Sequence, residues 1–177
     1  SEKETVAEEI RRLIEKNKKM LEDHTRDIRR LEKENDDVNR KHHEDIRRLK
    51  DRLRKEVRSE ETLRDLTKKV EEIDEEIKRH SEEIKRRLRE INKELKEHSD
   101  RVVERLRKLL EDAKRVDDSR VLKEIVDEAR ELSKRNEDKI RKSLEELKRL
   151  SERNKKKIED TLKELRKLAE EVKRRAT

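Results

Sequence analysis

The chain has 177 residues, 59% of them charged, and contains no Gly, Pro, Cys, Trp, Tyr or Phe. Without Gly there is no phosphate-cradling loop and no dinucleotide fingerprint, and without Cys no disulfide framework, thiolate metal site or cysteine nucleophile. The 56 Lys and Arg against 49 Asp and Glu leave a net charge of only +7, interleaved in sign, so the high net charge that marks a disordered chain is missing.

Apolar residues recur every three or four positions, the mark of one buried helical face. The first helix is predicted over 2–58. Its start is a capping-box pair, Ser1 and Glu4, and its stripe begins Val6, Ile10, Leu13. The second is predicted over 60–116. Ser59 caps it, and Glu60 and Glu61 place carboxylates in the first turn, where the helix dipole favours them. The third is predicted over 119–176, with Asp117, Asp118 and Ser119 as candidate caps. Short connections make neighbouring helices antiparallel. The expected fold is therefore all-α: a long, nearly untwisted up-down-up three-helix bundle, forming a single domain over 1–177. Each helix would extend ~85 Å at 1.5 Å per residue.

An 18-residue repeat runs through the stripes. Residues 24–31 and 42–49 agree at six of eight positions, and residues 132–149 and 150–167 at nine of eighteen. Eighteen residues are five turns of a straight α-helix, whereas a heptad repeat imposes a left-handed supercoil.

Polar residues interrupt these stripes at regular places. They are Asn17, His24, Asn35 and His42 in the first helix, and Asn136, Ser143, Asn154 and Thr161 in the third. Each pair differs by 119 positions, which means a constant height for two parallel helices. On the antiparallel second helix, heights match when numbers sum to a constant. His98 is then expected near Asn17/Asn136, and His80 near Asn35/Asn154. His43, beside His42, is expected at the flank.

Asn, Ser, Thr and neutral His can each donate and accept, so such layers can form buried hydrogen-bond networks. A register shift would strand every member, at a cost of ~1–3 kcal/mol for each unpaired group. These are expected to be structural residues. The pairs lack the three or four ligands of a zinc site, and a Ser–His pair needs a third orienting group and an oxyanion donor. No catalytic, cofactor-binding or metal residues are identified, and no enzymatic activity or cofactor is expected.

Idealised helices, Gly-free turns, a parametric period and polar layers resemble those of de novo designed helical bundles with programmed hydrogen-bond networks. The resemblance rests on Asn17/His98/Asn136, His24/Ser143, Asn35/His80/Asn154 and His42/Thr161. It implies a stable scaffold, an oligomerisation unit or a switch component, and related designs use buried His so that mild acid disrupts the network. Spectrin-like three-helix repeats are the nearest natural analogue, but they usually carry core aromatics.

No partner is required on this reading, and a monomer is favoured. The alternative is an interaction module, a homo-oligomer or one part of a designed complex docking another helix. Ile14, Val103, Leu110, Val126 and Ala169 would widen the seam toward such a partner. Nucleic-acid binding is not expected: basic pairs such as Arg11-Arg12 and Arg47-Arg48 are interleaved with acids, and no aromatic is present for stacking. There is no apolar run of ~20 residues for a membrane span, and no apolar signal region at the N-terminus. A soluble chain is expected, with its compartment not legible.

Overall fold

The computed structural model describes residues 1–176, with side chains described for 1–174. It contains three α-helices, α1 (Glu2–Glu56), α2 (Glu60–Arg115) and α3 (Ser119–Ala176), and no strand among the described residues. The protein is an all-α three-helix bundle. α1 and α2 stop two residues and one residue short of the boundaries expected from the apolar pattern.

Each helix start is capped by the chemistry its sequence offers. Ser1 Oγ accepts from the Glu4 amide at 3.4 Å, Ser59 Oγ from the Thr62 amide at 3.3 Å, and Asp118 Oδ1 from the Arg120 amide at 2.9 Å. Of the three candidates before α3, Asp118 is therefore the cap. Acids occupy the first turns of α1 and α2, while Arg54 and Lys55, then Lys114 and Arg115, occupy their last turns. Both placements favour the helix dipole. No described residue has positive φ, so the three-residue connections at 57–59 and 116–118 require no Gly.

Cross-helix pairs give the chain directions. Arg130 bonds Glu9 and Lys16 bonds Glu137, so numbers rise together on α1 and α3. Arg105 bonds Glu128 while Ser99 bonds Asn136, so α2 runs against α3. The order is up-down-up.

By density of contacts the chain divides into two compact units, residues 1–29 with 88–147, and residues 30–87 with 148–177. In the first unit, Ile10 and Ile14 of α1 pack with Leu106 and Leu109 of α2 and Leu122 and Ile125 of α3. In the second, Ile46 and Leu53 of α1 pack with Leu66 and Val70 of α2 and Leu165 and Val172 of α3. Among the described residues no helix is long and apolar enough to cross a membrane.

Candidate functional site: the buried polar layers

Asn17 and Asn136 are both fully buried, at 0% exposure. Asn136 Nδ2 donates to Asn17 Oδ1 at 2.8 Å, joining residues 119 apart as their spacing requires. Asn17 Nδ2 donates to Ser133 Oγ at 3.0 Å and to the Leu13 carbonyl at 2.7 Å, and Ser99 Oγ donates to Asn136 Oδ1 at 3.2 Å. Both amide oxygens accept and both amide nitrogens donate, which closes the network. An Asn buried without these partners would cost about 1–3 kcal/mol.

The same positions one repeat on, in the second unit, form a layer that does not close. Asn154 Nδ2 donates to Asn35 Oδ1, again 119 residues apart. Asn35 Nδ2 reaches Ser81 Oγ at 3.5 Å, and Asn39 Nδ2 donates to the same oxygen. Asn154 Oδ1 and Asn39 Oδ1 are buried without a hydrogen-bond partner. By the repeat, Ser81 corresponds to Ser99, and the bond Ser99 makes to Asn136 has no counterpart at Asn154.

α2 contributes serines to both layers. Ser81 and Ser99 are buried, whereas His80 and His98 are half-buried beside them. Adjacent helical residues lie about 100° apart, so only one of each pair can face the axis. The legible signal was the spacing of the stripe. Ser81 and Ser99 continue the three-and-four steps of Ile77, Ile84, Leu88, Ile91, Leu95 and Val102, while the histidines fall one residue off it. Ser133, likewise four residues after Ala129 and three before Asn136, and Asp74, between Val70 and Ile77, are stripe positions that polarity concealed.

The histidine layers are of a different kind. His24 and His42 are each 2% exposed, and both ring nitrogens of each lack a hydrogen-bond partner within the protein. Ser143, at the level of His24, is buried with its hydroxyl unpaired. Thr161, at the level of His42, instead donates to the Lys157 carbonyl one turn back, at 2.6 Å. The expected His–hydroxyl pairs therefore share a level without bonding each other.

Burial pushes the His24 imidazole below its ordinary value, opposed by the Asp27 carboxylate. His42 is lowered for the same reason, opposed by Asp74 and Asp45 and reinforced by His43. The half-buried His80 and His98 are also lowered, first by burial and then by Lys157 beside His80 and by Lys139 and Arg101 beside His98.

His43 is exposed at the flank, and its Nδ1 lies 3.4 Å from Oδ1 of the buried Asp74, whose other oxygen lies 3.7 Å from Lys78 Nζ. Among the described residues, no group of three or more His, Cys, Asp or Glu is placed to hold a metal ion. No protein-family model, curated protein or solved structure matches the chain.

Proposed function

We propose that the chain is a designed structural scaffold with no enzymatic activity, in which buried polar layers specify the register of the helices. The observation that carries this reading is the pair of Asn–Asn bonds, Asn136 to Asn17 and Asn154 to Asn35, each spanning 119 residues. Sliding α3 along α1 by one residue or one turn would leave four buried amides without partners. An apolar seam of repeating Leu and Ile penalises such a slide far less, because it presents a similar surface at each turn.

The reading as a self-sufficient monomer draws on the fate of the flanking apolar residues. Ile14, Val103 and Val126 are buried within the chain, and Leu110 and Ala169 partly so. Among the described residues, the exposed large apolar side chain is Val121, at 37%. A helix-docking module would leave a contiguous apolar patch of a few hundred Å². Against nucleic acid, the basic residues are shared with neighbouring acids, as in Arg12 with Glu8 and Arg48 with Asp45.

The same scaffold is acid-sensitive on this reading, because charging His24 or His42 places a cation in an apolar interior with no carboxylate bonded to it.

Replacing all four amides (Asn17→Leu, Asn35→Leu, Asn136→Leu, Asn154→Leu) tests the register role. The variant should keep its helix content and a melting temperature at least equal to the parent's. Its amide NMR spectrum should nevertheless show several sets of resonances where the parent shows one. A single, fully dispersed set in the variant would refute register specification by the layers.

A further inference from the structure

The two units are nearly equal in length, yet they are not equally well built. Of the described apolar residues that are buried, seventeen belong to the unit of residues 1–29 and 88–147 and ten to the unit of residues 30–87 and 148–177. The units also differ at polar positions of the 18-residue repeat. Leu21, Thr25 and Asn92 of the first unit correspond to Asn39, His43 and Asp74 of the second. Thr25 satisfies its own hydroxyl at the Leu21 carbonyl, 2.9 Å away. Asn39, by contrast, occupies Ser81 Oγ and keeps a buried, unpaired oxygen. Asp74 is a buried carboxylate whose histidine partner is exposed to solvent. The Asn layer is closed in the first unit and open in the second.

Free energies of local opening follow the amount of buried apolar surface and the number of satisfied buried polar groups. We propose that residues 30–87 together with 148–174 open as one cooperative unit from the native state, while residues 1–29 with 88–147 stay folded. The opening releases the second half of α1, the first half of α2 and nearly half of α3 together, and with them the apolar stripes that these segments bury. The device is local, and it requires neither acid nor the register role of the Asn pairs.

Native-state hydrogen exchange on the full chain at pH 7.5, resolved by amide, tests it. Interior amides of the second unit should share one protection factor, lower than that of the first unit by on the order of a hundredfold. A gap below tenfold overturns the proposal. So does protection that declines residue by residue toward the helix ends, which is fraying.

Two mild variants, each removing one methylene from a core side chain, give the order of events. Ile46→Val destabilises the native state against both the opened and the unfolded states, so it should lower protection several-fold in both units. Ile10→Val should lower protection only in the first unit, because its contacts survive the opening. Equal lowering of every amide by both variants is two-state behaviour and overturns the proposal. Asn39→Leu, which restores the residue of the matching repeat position, should raise protection in both units. No change or a loss there would remove the open Asn layer as a cause.

Discussion

Asn17 and Asn35 occupy equivalent places in one repeat, and their surroundings diverge within a single side-chain shell. Around Asn17 and Asn136, every amide group finds a partner on α1, α2 or α3, with Ser99 donating and Ser133 accepting. Around Asn35 and Asn154, Ser81 accepts from two amides and Asn154 Oδ1 is left alone. The position that separates the layers is Leu21 in one and Asn39 in the other. A polar residue added beside a network does not strengthen it if it brings an oxygen that no donor reaches, as Asn39 Oδ1 does. Buried networks have value only when complete.

The largest test of this contrast is core truncation. Leu53→Ala in the second unit and Leu106→Ala in the first each remove a side chain that is at most 1% exposed, at about 2–5 kcal/mol. Leu53→Ala should widen the gap between the units, so that urea unfolding followed by circular dichroism resolves into two steps. Leu106→Ala should bring the units closer and sharpen unfolding into one step. If the two variants give the same single transition at shifted midpoints, the difference between the units is erased.

Acid is the second probe. Burial lowers the His24 and His42 pKa in the folded state, whereas the unfolded value is about 6.5. Between those values the unfolded chain binds more protons. Stability is therefore full above pH ~6.5 and is lost as pH falls from there through the lowered folded values, at about 1.4 kcal/mol per pKa unit. Melting at pH 7.5 and 5.5 should show this loss, and a His24→Asn, His42→Asn double variant should flatten it. Equal melting temperatures for the parent at both pH values would show that neither imidazole matters. Both measurements are made above the ordinary carboxylate range, so the histidines are read separately from Asp and Glu.

The smallest expected effect compares two hydroxyls. Ser143 Oγ is buried and unpaired, whereas Thr161 donates to the Lys157 carbonyl. Ser143→Ala should be neutral or stabilising by about 1 kcal/mol, and Thr161→Val, equal in shape, should cost about 0.5–1.5 kcal/mol. Chemical denaturation of both variants checks the signs, and a cost for Ser143→Ala would place a partner on that oxygen.

Much of the architecture was legible in the order of residues. Three stripes, the Ser1 and Ser59 caps, a cap among Asp117, Asp118 and Ser119, and the spacing of 119 between Asn17 and Asn136 and between Asn35 and Asn154 are local or arithmetic properties. They follow from 3.6 residues per turn and from the donors left free at a helix start. The composition that opened the question, with no Gly, is consistent with turns that never enter positive φ.

The stripe spacing already separates Ser81 and Ser99 from His80 and His98; tertiary structure decided which side chains those serines bond. It also decided whether a layer closes, because hydrogen-bond partners come from other helices, and no donor reaches Asn39 Oδ1 or Asn154 Oδ1. The depth of burial was decided there as well. Both units carry similar stripes, but the number of residues buried depends on how three helical faces meet around each one. Periodicity names the residues that can be buried, and packing determines how many are.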